Sequence, residues 1–240
     1  RRDAGRVSQV HRSPDDRGEP APRVRRPVRP NAATAHAARF DAVFAARDAD
    51  ALAAHVASDG ETIEHATGAI HDKQAMLRIW LSLLRARDGK NRTEPLATLG
   101  DSLALCRQSA SASGVGGEKF DVGAYEIEHV VLIEVDVQGQ HRRTEVFAAD
   151  RLGEAVVQLY ERYAELLPDG PERDRAAATA RSVAAMLGAS LDPDRYATAF
   201  APGIESIDHR TLGTFSARGA DALLLGLRSW FELVADIIMR

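Results

Sequence analysis

Two histidines, His65 and His129, sit where an imidazole could move protons. His65 lies in Thr62-Ile63-Glu64-His65-Ala66-Thr67-Gly68, and His129 in the alternating run from Tyr125 to Asp136. Alternate side chains of a strand share a face, so Ile63 and His65 fall on one side and Thr62 and Glu64 on the other. The same alternation groups Tyr125, Ile127, His129, Val131 and Ile133. An imidazole is the side chain whose ordinary pKa lies near neutrality, so inside an apolar cavity it could carry the proton that isomerisation or cyclisation of a carbonyl compound requires. The competing reading is structural: His65 hydrogen-bonds backbone at the turn before Gly68, and His129 is a polar lining group without chemistry.

The elements that must position these residues follow from periodicity. Ala37, Phe40, Val43 and Phe44 keep helical spacing, and Asp48 or Asp50 caps a second short helix through Leu52 and Val56. Asp59-Gly60 should end that helix, Thr62 to Ala66 form a short strand, and Gly68 turn the chain into a helix over 73–87 with Asp72 as its cap. Thr93 to Leu99 and Ser102 to Ser113 alternate as strands about Gly100-Asp101, and Tyr125 to Asp136 and His141 to Phe147 form a hairpin around Val137-Gln138-Gly139. A helix from Leu152 to Leu166 then links to a second helical segment from about Arg173.

That later segment repeats the first. Asp48 and Asp50 pair with Asp192 and Asp194, Leu52 with Tyr196, Val56 with Phe200, Ile63 with Ile207 and His65 with His209, with one residue inserted before Gly213. A strand over 204–209 and a helix over 220–234 complete the copy, which stops where its sheet should begin. The expected organisation is a disordered tail over 1–30, a first unit over 31–150, a linker helix and turn over 151–172, and a truncated second unit over 173–240.

Composition narrows the partners. Residues 1–30 hold nine Arg, four acids and five prolines, too few apolar groups to offset the entropy of ordering. The net charge of −4 argues against a dedicated nucleic-acid binder, because phosphate binding draws on clustered positive charge. The chain has 28 Arg against 3 Lys, a codon bias expected of a GC-rich bacterial genome. The lone Cys106 excludes an internal disulfide and reads as a small buried hydrophobe. No His-Glu-x-x-His pattern exists, and strand parity separates Glu64 from His65, so neither a metal nor a cofactor is expected. Ser113-Gly114-Val115-Gly116-Gly117 lacks the Lys-Ser/Thr ending of a phosphate loop and reads as a hairpin connection. Neither a membrane-spanning run nor an apolar signal core is present, so the expected address is the cytoplasm.

Arg39-Phe40 in the first helix, Ala46-Arg47-Asp48 between helices, Glu64-His65 in the first strand, Tyr125 to His129, Glu134-Val135-Asp136, Gly139 and Phe147-Ala148-Ala149-Asp150 together resemble the SnoaL-like group. That group belongs to the superfamily of nuclear transport factor 2 and ketosteroid isomerase. The resemblance covers 35–150 and the front half of a second copy over 181–240. It implies an α+β fold, a cone-shaped curved antiparallel sheet covered by helices (a cystatin-like α+β roll), followed by a helical half-copy of the same unit. It also implies a conical pocket and a homodimer through the sheet. Isomerase and cyclase members use an Asp or Glu as proton shuttle; Asp59 and Glu145 match no such motif residue for residue. Arg107 could be the central cation of an epoxide hydrolase, but no pair of carboxylates can be assigned to it.

The expected function is a sensory or non-catalytic module that binds an apolar small molecule, set in a larger bacterial regulatory protein. Phe40, His65, Trp80, Tyr125, His129 and Phe147 would line its site. The alternatives are an acid–base enzyme of the isomerase or cyclase kind, with His65 or His129 as proton carrier, and a dimerisation unit with a filled core. Trp80 and Trp230 both fall on apolar helix faces and read as core. The cone and all pocket roles are expected to stand or fall with Ile63 and His129 sharing the inner side of the sheet.

Overall fold

The computed structural model describes residues 27–86, 88–113, 115–116, 121–122, 124–187, 193–209 and 216–238. The tail expected to be disordered lies almost wholly outside these residues, as do Gly114, Gly117 and Gly213. Helices α1 (Ala32–Ala46) and α2 (Ala49–Ala54) lead into strands β1 (Val56–Glu64) and β2 (Ala69–Asp72), then α3 (Lys73–Arg85). Strands β3 (Lys90–Leu99) and β4 (Leu103–Ala112) follow, then the short pair β5 (Val115–Gly116) and β6 (Asp121–Val122), and the hairpin β7 (Tyr125–Val135) and β8 (His141–Ala148). Next come α4 (Leu152–Leu166), α5 (Pro171–Leu187), α6 (Pro193–Ala197), the pair β9 (Glu205–Ser206) and β10 (Ala217–Arg218), and α7 (Ala220–Ile238).

The helix starts follow from their caps. Asn31 accepts from Thr34 N at 3.0 Å in a capping box, and Asp48 and Asp72 accept from Ala51 N and Ala75 N at 2.9 and 2.8 Å. Asn31 also donates to the carbonyls of Gly100 and Leu103, which fixes the start of α1 to the β3–β4 turn. Arg47 ends α1 in the left-handed conformation, at φ 53°, and donates to the carbonyls of Leu84 and Ala86 at the end of α3. Asp41 of α1 accepts from Thr93 N, Thr93 Oγ1 and Asn91 Nδ2 within 2.9 Å, tying that helix to β3.

The sheet has six strands in the order β2-β1-β8-β7-β4-β3. Every pair is antiparallel except β1 with β8, which run parallel with Thr62 opposite Thr144 and Ile63 opposite Glu145. The expected α+β cone is present, with a mixed rather than wholly antiparallel sheet. Strand β1 starts at Val56, so the stretch expected to close a helix is sheet. Gly60 permits this: a Cβ there would come within 2.8 Å of Val56 Cγ1 and 3.1 Å of His141. Gly68, at φ +72°, turns β1 into β2, a four-residue strand that stands where the sequence predicts a direct turn into the helix.

Both faces of the sheet are covered. On the inner face α1 packs Ala33 and Ala37 against Ala104, Cys106, Val131 and Ile133. Phe44, Leu52, Leu83 and Leu84 close a second apolar cluster on Ala110 and Ala112. On the outer face Ala155 and Leu159 of α4 pack on Leu103, Leu105, Val130, Leu132 and Phe147. Burying a side chain such as Leu159 contributes about 1.5–3 kcal/mol. Beyond α4, Tyr196 of α6 packs on Phe231 of α7 with ring centroids 5.8 Å apart. The strand expected over 204–209 is only the two residues of β9. Trp230 is 52% exposed rather than core, and its neighbour Phe231 takes the packed position against Tyr196. No described helix is long and apolar enough to cross a membrane.

Candidate functional site

Between the inner face of the sheet and helices α1 and α3 lies a cavity of about 230 Å³. Strand β7 sets its axis. Ile127, Val131 and Ile133 face the cavity along it, and because β7 pairs Val135 with His141, the start of β8 stands at the opposite end from Ile127. Residues two apart on a strand are separated by about 6.6 Å, so the cavity's two ends differ widely in setting.

Its rim is formed by Ile79 of α3 and Ile127, which are 48% and 44% exposed, together with Glu64 and His71. His71 faces inward because the β1–β2 register sets it opposite Thr62. Its Nε2–H donates to Glu64 Oε1 at 3.3 Å, while Glu64 Oε2 accepts from Thr67 Oγ1. The middle of the wall carries Phe40 and Trp80, whose rings meet edge to face at 5.0 Å, and Trp80 also meets Phe44 at 5.6 Å. Gln108 and His129, register partners on β4 and β7, add polar groups there.

The buried end is made of three histidines. His36 of α1 and His141 of β8 are 4% and 7% exposed, with ring centroids 6.1 Å apart. His55, after α2, meets His36 at 5.6 Å. His36 Nδ1–H donates to the Gly139 carbonyl at 3.3 Å, and His141 Nε2 shares a hydrogen bond with Thr144 Oγ1 at 2.8 Å. Burial pushes the pKa of His36 down to about 4, helped by its neighbours His141 and His55 and opposed by the bond to Gly139. Burial likewise pushes His141 down to about 4, and burial followed by the charge of Arg39 lowers His55. These imidazoles are neutral at neutral pH. Among the described residues no three His, Cys, Asp or Glu side chains are placed to hold a metal ion.

The residues singled out from sequence divide by face. Phe40, Trp80, Tyr125 and His129 line the cavity. His65 and Phe147 lie on the outer face, where their rings stack at 4.1 Å and 14°. The alternation along β1 holds, but its faces are reversed: Thr62 and Glu64 point inward, and Ile63 and His65 outward. The assumption that Ile63 and His129 share the inner side is therefore overturned, while the cone stands. The cause lies on the outer face of β8, where Phe147 stacks on His65 and Glu145 accepts from it, so the histidine turns outward and Ile63, two residues before it, goes with it. His65 Nε2–H donates to the buried Glu145 carboxylate at 2.7 Å, rather than to backbone at the turn. Glu145 also takes Arg143 Nε at 2.9 Å. Arg107 pairs with Glu128 at 3.5 Å and does not line the cavity.

Four cavity histidines, His36, His55, His71 and His141, escaped the sequence reading. His36 carried a signal, since it precedes Phe40 and Phe44 at four-residue steps on the buried face of α1. The others depend on the β1–β2 hairpin and the parallel β1–β8 pairing, which bring distant segments together.

No family model and no curated protein matches the chain. Solved structures do. A steroid delta-isomerase from Pseudomonas aeruginosa is 20% identical over 58% of this chain and 96% of its own, with a TM-score of 0.37. An NTF2-like protein of unknown function from Mesorhizobium loti is 19% identical over 50% of this chain and 96% of its own, at 0.39. An uncharacterised cystatin-fold protein from Novosphingobium aromaticivorans is 14% identical over 50% of this chain and 99% of its own, at 0.40. Likeness at this level concerns the shape of the chain and carries nothing on reaction or ligand.

Proposed function

We propose that the cone over 31–150 binds an apolar small molecule between α1, α3 and the inner face of the sheet. The observation that carries this role is the cavity of about 230 Å³, walled by Phe40, Met76, Trp80, Leu83 and Val131 with a few polar groups converging on it. A filled dimerisation core would have closed that space. As a sensory or accessory unit of a larger bacterial regulatory protein, the domain would report ligand occupancy through the helices beyond it. We also read residues 173–240 as a partial second copy, because α6-β9-β10-α7 follows the order α2-β1-β2-α3. A homodimer through the sheet would have to use an edge or displace α4, whose Ala155 and Leu159 lie on the outer face.

Titration with N-phenyl-1-naphthylamine, an uncharged apolar fluorophore, tests the binding role. Saturable one-to-one binding that is lost when Ala110→Phe fills the cavity, in a chain of unchanged circular dichroism, is the expected result. Binding that survives the filled cavity would place the probe elsewhere and end this role.

A second reading, acid–base catalysis, draws on the pair His71–Glu64. A carboxylate holding the Nε2–H of a cavity histidine leaves Nδ1 as a base, the arrangement proton transfer needs. Turnover of a β,γ-unsaturated ketone, abolished by His71→Asn with fluorophore binding intact, would favour this reading over simple binding.

A further inference from the structure

If the cone is a binding site, its buried end also restricts what the ligand can carry. We propose that His36, His55 and His141 receive the hydroxyl head of an apolar alcohol or phenol, and discriminate against a carboxylate or an ammonium at that position.

The hydrogen-bonding capacity of the three rings carries the inference. His36 uses its Nδ1–H on the Gly139 carbonyl, so its Nε2 can only accept while the ring is neutral. A carboxylate has no proton to give to that nitrogen and would bring a buried charge. Among the described residues that line the cavity, the one carboxylate, Glu64, is at the rim and none stands near the three rings. An ammonium would therefore lie uncompensated, beside the positive Arg39, whose Nη2 donates to the same Gly139 carbonyl at 2.9 Å. A hydroxyl gives one proton and accepts others, which matches the accepting Nε2 of His36 with the rings of His55 and His141 5.6 and 6.1 Å away, the latter holding a buried Nδ1 that has no hydrogen-bond partner among the described residues. A ketone accepts only, and would leave the His36 nitrogen without a donor. The far end of the cavity imposes no such demand, because Ile79 and Ile127 leave it open and its polar pair, His71 and Glu64, is hydrogen-bonded to itself. The fitting ligand thus enters hydroxyl first and leaves its hydrocarbon body against Phe40 and Trp80.

Three probes sharing one ring system separate this inference from the binding role it rests on. Naphthalene, 2-naphthol and 2-naphthoate are titrated at pH 7 by calorimetry or Trp80 fluorescence. The expected result is measurable naphthalene binding, roughly ten-fold tighter binding of 2-naphthol, as one hydrogen bond of about 1.4 kcal/mol would give, and 2-naphthoate no tighter than naphthalene. His36→Phe should bring 2-naphthol down to the affinity of naphthalene in the same variant, and His55→Leu, at a half-buried position, should reduce the ratio between the two. 2-Naphthoate binding tighter than naphthalene, 2-naphthol binding no tighter than naphthalene, or a 2-naphthol gain that survives both substitutions overturns the hydroxyl assignment and leaves the cavity's binding role standing. Failure of naphthalene and 2-naphthol alike overturns both.

Discussion

His65 lies flat on Phe147 on the outer side of the sheet, its ring 4.1 Å from that of the phenylalanine and its Nε2 2.7 Å from the buried Glu145 carboxylate. The arrangement fastens the end of β1 to β8, next to the backbone bond from His65 N to the Val146 carbonyl. His65→Ala should lower stability by about 1–2 kcal/mol, because the histidine is partly exposed and Glu145 keeps Arg143. Fluorophore affinity should not change. Urea unfolding and a binding titration on the same variant check both, and lost affinity with unchanged stability would return His65 to the pocket.

Arg162 of α4 grips Glu134 of β7 through two bonds, Nε to Oε2 at 2.6 Å and Nη2 to Oε1 at 3.2 Å. The bond to Glu134 holds the guanidinium pKa above its ordinary value despite burial. Arg162→Met leaves a buried carboxylate with only Arg142 nearby, at 3.8 Å, and should cost about 3 kcal/mol. Adding Glu134→Leu should recover most of that loss. Thermal melts of the two single variants and the double variant measure the coupling.

The histidine cluster makes stability fall on acidification. His36 and His141 have pKa values near 4 in the folded chain and about 6.5 when unfolded, so the unfolded state binds more protons between those limits. Stability from this source is fully present above pH 6.5 and is lost as pH falls toward 4, by several kcal/mol in total on the order-of-magnitude scale of about 1.4 kcal/mol per pH step per group. His36→Phe should flatten the profile. Urea midpoints from pH 7 to pH 4.5 are the measurement, and equal slopes for both chains would remove His36 as a cause.

Gly100 turns β3 into β4 at φ +62°, and a Cβ there would sit 2.9 Å from Tyr163 Cε2 of α4. Gly100→Ala therefore combines backbone strain with a clash at the α4 contact, and should cost about 1–3 kcal/mol. Tyr163→Ala costs packing of its own on the outer-face cluster, so the relieved clash should show as a double variant less destabilised than the sum of the two single variants, read from urea unfolding.

How much of this was legible follows from what each signal depends on. Periodicity and caps were local, so Asp48, Asp72, α3, the β7–β8 hairpin and α4 could be read from neighbours a few residues apart. The inward set on β7, Ile127 to Ile133, was legible because the strand is long and its alternation sustained. Strand β1 defeated the same logic: after Val56 and Ala57 its one large hydrophobe is Ile63 among polar residues, and a single isoleucine does not mark a face. His55 and His141 meet only because β1 pairs parallel with β8, and parallel pairing leaves no short-range mark in the sequence.

That parallel pairing also governs the order of events as the chain is made. Ile63 has to wait for Glu145 before its strand is flanked on both sides, so the chamber's wall remains open while some eighty residues are still being synthesised. Until then β2 is the first strand's one neighbour in the sheet, with α3 across its inner face. Assembly of the cone is accordingly gated by one distant encounter, which favours slow maturation and gives the unpaired edge of β1 time to find a neighbouring chain.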